Sequence, residues 1–283
     1  MNNKNNIYND ITSLEIINSK SNSKVKFVKS LNEKKYRQKE NAFYIEGIKV
    51  VSEVLDINLK NKINLKYLYI CKQILENANG GNELLQKIEK YNNKLNIYNI
   101  DADTFKYMTD TVTPQGVLAV IEIPKYNISE CLNNDIIVLD KLQDLGNIGT
   151  IVRTANAFNI NTILCMQGSA DIYSPKGIRS TMASILKTKI IYFSDYNEIF
   201  KILKNNGYNI IGTSLKGKKF LNQLNLKITK NCFCMGSEAN GISLELEKMC
   251  DTLIKIPIEN TVESLNVAIA SGIILYKNYI DKL

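Results

Sequence analysis

CMGSEANGIS (234–243), IKIPIEN (254–260) and TVESLNVAIASGIILY (261–276) are the pieces of this sequence that decide the fold. Each sets a hydrophobic run against a turn of glycine, proline, serine, asparagine or glutamate. Polar groups at the carboxyl ends of consecutive strands are what a ligand crevice in an α/β sheet requires. The last piece then enters a helix with Ile and Leu on every side and with small residues at Ala268, Ala270, Ser271 and Gly272. That pattern predicts a helix buried on most faces, either in the core or against a second subunit.

Working outward, strand and helix alternate twice. AFYIE (42–46), KYLYICK (66–72), LNIYNI (95–100) and VLAVIEI (117–123) read as strands, with helices at 47–55, 83–91 and 101–108 between them. A second alternation runs through DIIVLD (135–140), a helix at 148–158, TILCMQ (162–167), a helix at 176–186 and KIIYF (189–193). A helix at 197–206, strands at 209–215 and 231–236, a helix at 243–250 and a strand at 252–257 follow. Near-continuous apolar strands joined by helices predict a parallel sheet covered on both faces. The expected layout is a frayed polar tail (1–20), a smaller α/β domain (21–124), a polar linker (125–134) and a larger α/β domain (135–283).

Composition narrows the chemistry. The 283 residues include no histidine, which removes histidine-based hydrolase triads and His-containing zinc sites, and no metal is expected. Six cysteines form no C-x-x-C pair and fall in apolar runs, so buried free thiols of a cytoplasmic protein are expected. The first twenty residues lack a signal-peptide core, and the longest uncharged run, Ser264 to Tyr276, is too short for a membrane span. The net charge of +8 points to a polyanion, nucleic acid first, although a Lys- and Asn-rich coding bias gives the same total. Position weighs more: Lys20 to Lys39 holds eight basic residues and one acid, Glu33. Only Arg37, Arg153 and Arg179 are arginines among 36 basic residues, so these three are candidates for fork geometry as well as charge.

Three constellations carry the chemistry. In LDKLQDLGNIGTIVRTANAF (139–158) a strand ends in a Gly/Asn turn, with Asn147 placed to cap the helix that bears Arg153. No G-x-G-x-x-G stands there, so it is not a dinucleotide fingerprint. In MGSEANGIS (235–243) Gly236 and Gly241 permit close backbone approach around Glu238. In the third, Ser264 and Asn266 straddle the start of the last helix beside Glu263.

Together and in this order, Asn147-x-Gly149-x-x-x-Arg153-Thr154-Ala155, Gly236-x-Glu238-x-x-Gly241-Ile242 and Ile256-Pro257 with Glu263-Ser264-Leu265-Asn266-Val267 resemble one family. They look like the three motifs of the SpoU-type (TrmH-like) RNA 2'-O-ribose methyltransferases of the SPOUT superfamily. YSPKGIRSTMASIL (173–186) is similar to the segment that family carries between them. NAFYIEG (41–47) and TPQGVLAV (113–120) are similar to the substrate-binding domain of the branch that has one. Leu145 departs from the family, which usually has proline there.

The resemblance implies an S-adenosylmethionine-dependent enzyme whose C-terminal domain carries a deep trefoil knot and pairs as a homodimer through it. It implies cofactor binding largely through backbone at Thr213, Gly236, Ile256 and Leu265. Arg153 would then stabilise developing oxyanion character and hold an RNA phosphate, with Asn147, Glu238, Ser264 and Asn266 orienting it and the ribose. Lys34, Lys35, Arg37 and Lys39, and separately Arg179, are the expected RNA contacts, with ribosomal RNA ahead of transfer RNA. Two other readings stay open: a SPOUT-type methyltransferase acting on an RNA base, and a non-catalytic RNA-binding protein of the same fold.

Overall fold

The structure, a computed structural model, describes residues 14–60, 62–91, 94–227, 230–237, 240–259 and 261–283. The chain separates into two compact units, Met1–Ile123 with Tyr173–Ile178, and Pro124–Ile172 with Arg179–Leu283. Among the described residues no helix is long and apolar enough to cross a membrane.

The first unit runs β1 (Ile16–Ile17), α1 (Ser23–Ser30), α2 (Lys34–Glu40), β2 (Ala42–Glu46), α3 (Ile48–Asn58) and β3 (Leu65–Ile70). It continues with α4 (Lys72–Glu76), α5 (Gly81–Tyr91), β4 (Ile97–Ile100), α6 (Ala102–Met108) and β5 (Val117–Glu122). The sheet order is β1-β4-β3-β5-β2, with β1, β4 and β3 parallel and β5 antiparallel to both its neighbours. Local chemistry sets the boundaries. The Asn22 side chain accepts from Lys24 N at 2.8 Å to start α1, and Asp101 accepts from Asp103 and Thr104 to start α6. Asn41, at φ 47°, ends α2 in the left-handed conformation that asparagine tolerates. Val25, Val28 and Leu31 of α1 and Phe105 and Met108 of α6 pack on Tyr44, Tyr69, Leu118 and Val120, which share one face of the sheet.

The chain continues with β6 (Ile136–Asp140), α7 (Leu145–Ala157), β7 (Thr162–Met166), α8 (Pro175–Thr181), β8 (Lys189–Phe193) and α9 (Tyr196–Asn205). Then follow β9 (Tyr208–Thr213), β10 (Lys219–Phe220), β11 (Lys230–Gly236), α10 (Leu244–Glu247), β12 (Thr252–Lys255) and α11 (Val267–Lys282). The second unit's seven described strands are all parallel in the order β10-β12-β9-β11-β6-β7-β8. From β6 the chain moves outward to β7 and β8, then crosses to the other side for β9, β11 and β12. The strand order therefore reverses at the β6–β11 pair, and a crevice opens at the carboxyl ends of such a pair. Those ends are Asp140 and Gly236, which are register partners.

Several expectations need correction. The tail expected over 1–20 contributes the edge strand β1, while residues 1–13 lie outside those described. The expected linker 125–134 holds a 3-10 helix, Ile128–Cys131, and buries Cys131 and Leu132, because its apolar side chains find a core. The expected continuous helix 176–186 breaks at Met182, whose φ of 52° ends α8 and leads into a 3-10 turn, Met182–Lys187. Tyr173–Ile178 groups with the first unit instead of lying wholly in the C-terminal one. The last helix is buried on one face only: Ile269 (56% exposed), Ile273 (39%), Tyr276 (56%) and Ile280 (45%) line its other side.

Candidate active site

The first motif occupies the turn after β6 and the first half of α7. The helix begins three residues earlier than its pattern suggests, because Asp144, not Asn147, is the cap: its Oδ1 accepts from Asn147 N at 2.8 Å. Leu145 stands at the first helical position, where the amide needs no partner, so the missing proline removes no hydrogen bond. Relieved of capping, the Asn147 side chain accepts at Oδ1 from Asn266 Nδ2 at 3.0 Å. Asn266 also caps α11, its Oδ1 accepting from Ala268 N at 2.9 Å and Ile269 N at 3.3 Å. One carboxamide therefore sets the start of α11 and ties it to the start of α7 across 119 positions of sequence.

Arg153 lies one and a half turns further along α7, exposed, and no side-chain hydrogen bond or ion pair engages its guanidinium among the described residues. It does not join the Asn147–Asn266 pair. Ser264 is exposed and Leu265 half-buried in the loop ahead of α11. Glu238 lies outside the described residues. Arg179 is exposed near the end of α8.

The second motif is a tight turn. Ser237 N donates to Gly241 O at 3.0 Å, and Gly241 N donates back to Ser237 O at 2.8 Å. A Cβ on Gly236 would lie 1.9 Å from Gly241 C, and Gly241 has φ +65°, so both positions demand glycine. Beside it, Thr213 Oγ1 donates to Cys234 O at 3.0 Å, and Ser214 N donates to Ile254 O at 2.9 Å. The adjacent strands β12, β9 and β11 thus end in loops laced together, with Gly236 buried and Ile256 and Leu265 half-buried. Backbone donors and acceptors set among small and apolar side chains suit an adenosyl group, which needs edge hydrogen bonds and an apolar cleft more than charge.

Sequence reasoning passed over Asp140. It is 2% exposed at the carboxyl end of β6, and its two oxygens have different tasks. Oδ1 accepts from Tyr196 OH at 2.5 Å, and Oδ2 accepts from Ser243 N at 2.6 Å. Ser243 caps α10 directly after the Gly236–Gly241 turn. One buried carboxylate therefore fixes where both motif turns leave the sheet. Burial, and then the bond to Asp140, push the Tyr196 phenol well above its ordinary value, so it stays a donor. The signal was a charged residue closing an otherwise apolar strand. Gly149 also has a packing reason: a Cβ there would lie 2.3 Å from Ser180 Oγ, so α7 and the end of α8 touch through it.

The substrate-side candidates divide. Lys34 and Lys39 are exposed on α2, and Lys35 pairs with Glu33 at 2.9 Å. Arg37 contradicts its expected role. It is 3% exposed, and its Nη1 donates to Leu31 O at 2.6 Å and Asn32 O at 2.8 Å, closing the carboxyl end of α1. Both bonds leave one guanidinium nitrogen for backbone carbonyls. The six cysteines are free, five of them buried; burial pushes the Cys165 thiol up to about 12 and Cys234 well above the usual range. Such thiols stay protonated and are poor nucleophiles.

Comparison with known proteins matches residues 134–276 to the SpoU rRNA Methylase family and residues 22–119 to the MRM3-like substrate binding domain. A curated relative from Bacillus subtilis, 23S rRNA (guanosine(2553)-2'-O)-methyltransferase RlmP, is 29% identical over 260 residues, covering 92% of this chain and 97% of its own. The Neisseria meningitidis 23S rRNA (guanosine-2'-O-)-methyltransferase RlmB is 27% identical over 205 residues, covering 68% of this chain and 79% of its own. An rRNA methyltransferase from Sinorhizobium meliloti, solved with AdoMet bound, superposes with a TM-score of 0.83 at 24% identity over 95% of this chain and 99% of that one.

Proposed function

The chain belongs to the SpoU rRNA methylase family, and from that membership we propose that it transfers a methyl group from S-adenosylmethionine to a ribose 2'-hydroxyl of ribosomal RNA. The observation that carries this reading is the Asn147–Asn266 hydrogen bond beside the crevice at the β6–β11 reversal. It joins the first and third family motifs through side chains that no core packing demands.

The residues fit the cofactor. The laced loops after β9, β11 and β12 supply backbone groups at Thr213, Gly236 and Ile256, and Leu265 supplies an apolar wall. S-adenosylmethionine, when bound, supplies an electrophilic sulfonium methyl. The protein's task is then to place the ribose oxygen and ease the loss of its proton. Arg153 acts as a positive charge that favours the developing oxyanion and holds an adjacent phosphate. Asn147 and Asn266 set the α7 and α11 starts against each other, and Ser264 adds a polar group ahead of α11. Arg179 serves as a further phosphate contact.

The apolar stripe of α11 supports a homodimer. Ile269, Ile273, Tyr276 and Ile280 recur at helical spacing on its exposed side, and the Tyr276 ring lies 5.9 Å from that of Phe158, directly after α7. A stripe of this kind is an interaction surface. We also propose that the segment leading into α11 threads the family's trefoil knot; the order β12-β9-β11-β6, with α11 returning to α7, supports it. Incubating purified protein with methyl-labelled S-adenosylmethionine and ribosomal RNA tests the activity. Label in alkali-resistant dinucleotides is expected; label confined to a base would establish the base-methylating alternative instead.

A further inference from the structure

The lysines of the first unit are not equivalent. On α2, Arg37 is buried and Lys35 is paired with Glu33. Lys35 also lies 4.8 Å from the Tyr36 ring centroid; on and before α1, three further lysines sit against tyrosine rings. Lys24 Nζ lies 4.9 Å from the Tyr98 ring centroid and 5.7 Å from that of Tyr67. Lys20 and Lys29 lie 5.2 and 5.1 Å from the centroid of Tyr107, which is 43% exposed on α6.

Their placement follows from the sheet. Tyr69 and Tyr98 are register partners on β3 and β4, and their rings stand 5.2 Å apart, with Tyr67 5.8 Å from Tyr98. Bonding to the Tyr98 hydroxyl, the main cause, raises the Lys24 ammonium above its ordinary value. Beside this cluster, β1, the start of α1 and β4 enclose a pocket of about 430 Å³, lined by Ile16, Asn18, Asn22, Lys24 and Tyr98 among others. Pockets of roughly 300–1,000 Å³ hold small organic ligands.

Lys24 and Tyr98 line this pocket together, while Lys20, Lys29 and Tyr107 form a second cation–ring group outside its lining; a cation and an aromatic ring at a pocket of nucleotide size match unpaired RNA. Extruded bases stack on aromatic faces and edges, while ammonium groups meet the phosphates between them. A duplex offers no free base face to such a pocket. We propose that a single-stranded RNA segment docks on the α1–β4–α6 surface. One unpaired base enters the pocket beside Tyr98, and the flanking phosphates meet Lys20, Lys24 and Lys29. This placement rests on the reading of RNA as the substrate, and it moves the main RNA contact of the first unit from α2 to α1.

The test uses the full chain and fluorescence anisotropy with a labelled single-stranded oligouridylate, titrated at several salt concentrations. The triple variant Lys20→Gln/Lys24→Gln/Lys29→Gln should bind at least tenfold more weakly. Its logarithmic salt slope should fall by about 2, since each phosphate contact on a single strand carries about 0.7. Lys34→Gln/Lys35→Gln/Lys39→Gln should change affinity by less than about threefold, as fits lysines without a neighbouring base site. Tyr98→Leu should cost about tenfold, with Tyr98→Phe near wild type, a contrast that follows the ring and not the fold. Equal losses in the two triple variants, or duplex RNA of the same length binding as well as single strands, would overturn the placement. Wild-type protein that binds no RNA at all would instead overturn the substrate reading.

Discussion

Gly236 and Arg153 each test what a single atom group contributes. Gly236→Ala puts a Cβ into the Gly241 backbone at 1.9 Å, so the turn must open. Overpacking of this kind costs about 1–3 kcal/mol; calorimetry should show at least a tenfold loss of S-adenosylmethionine affinity, and unchanged affinity would separate this turn from the cofactor. Arg153 has the opposite profile, because no side chain among the described residues depends on it. Arg153→Ala should leave cofactor affinity and thermal stability within error while methyl transfer falls at least a hundredfold, in the range set by loss of one oxyanion donor. Arg153→Lys should recover little, because an ammonium lacks the planar fork; loss of cofactor binding in either variant would refute the electrostatic role. Arg37 shows the limit of reading residue types alone. Scarcity of arginine singled this position out as an RNA contact, and only the fold reveals that its partners are Leu31 O and Asn32 O.

At the scale of elements, α11 is held at both ends by polar side chains and in between by packing. Its start is the Asn266 cap on Asn147. Its end is a buried network around Asp135, which is 7% exposed: Lys282 Nζ lies 2.7 Å from each carboxylate oxygen, Asn278 Nδ2 donates at 2.7 Å and Asn231 N at 2.8 Å. Removing the carboxylate strands three donors, whereas removing Lys282 leaves Asp135 with two amide partners. Asp135→Ala should therefore cost on the order of 2–3 kcal/mol in denaturant unfolding, discounted because the Lys282 side chain is 31% exposed. Lys282→Ala should cost less than half of that, and the reverse order would contradict the network's hierarchy. The strands were legible because β6, β7 and β11 are apolar at nearly every position. Helix ends were less so. Asp144 and Asn147 are both good caps three residues apart, and only the demand of Asn266 for a partner decides between them.

The molecule as a whole combines a parallel sheet whose order reverses at the first two motifs with a separate mixed sheet bearing the lysine–tyrosine surface. The motif order along the chain made the methyltransferase unit readable in advance. The buried role of Asp140 was hidden, because its partners Tyr196 and Ser243 come from segments 56 and 103 residues away. The helix expected to be buried on most faces leaves one face open in the single chain, with Ile269, Ile273, Tyr276 and Ile280 along it. Ile273→Asp on that face should convert the particle to a monomer in sedimentation velocity, and a wild-type monomer would remove the homodimer from the account. The most direct measurement of the central claim maps 2'-O-methylation on ribosomal RNA from cells with and without this protein. One alkali-resistant position should vanish in its absence, return with the wild-type chain and stay absent with Arg153→Ala. An unchanged ribose-methylation map in cells lacking the protein would contradict the account.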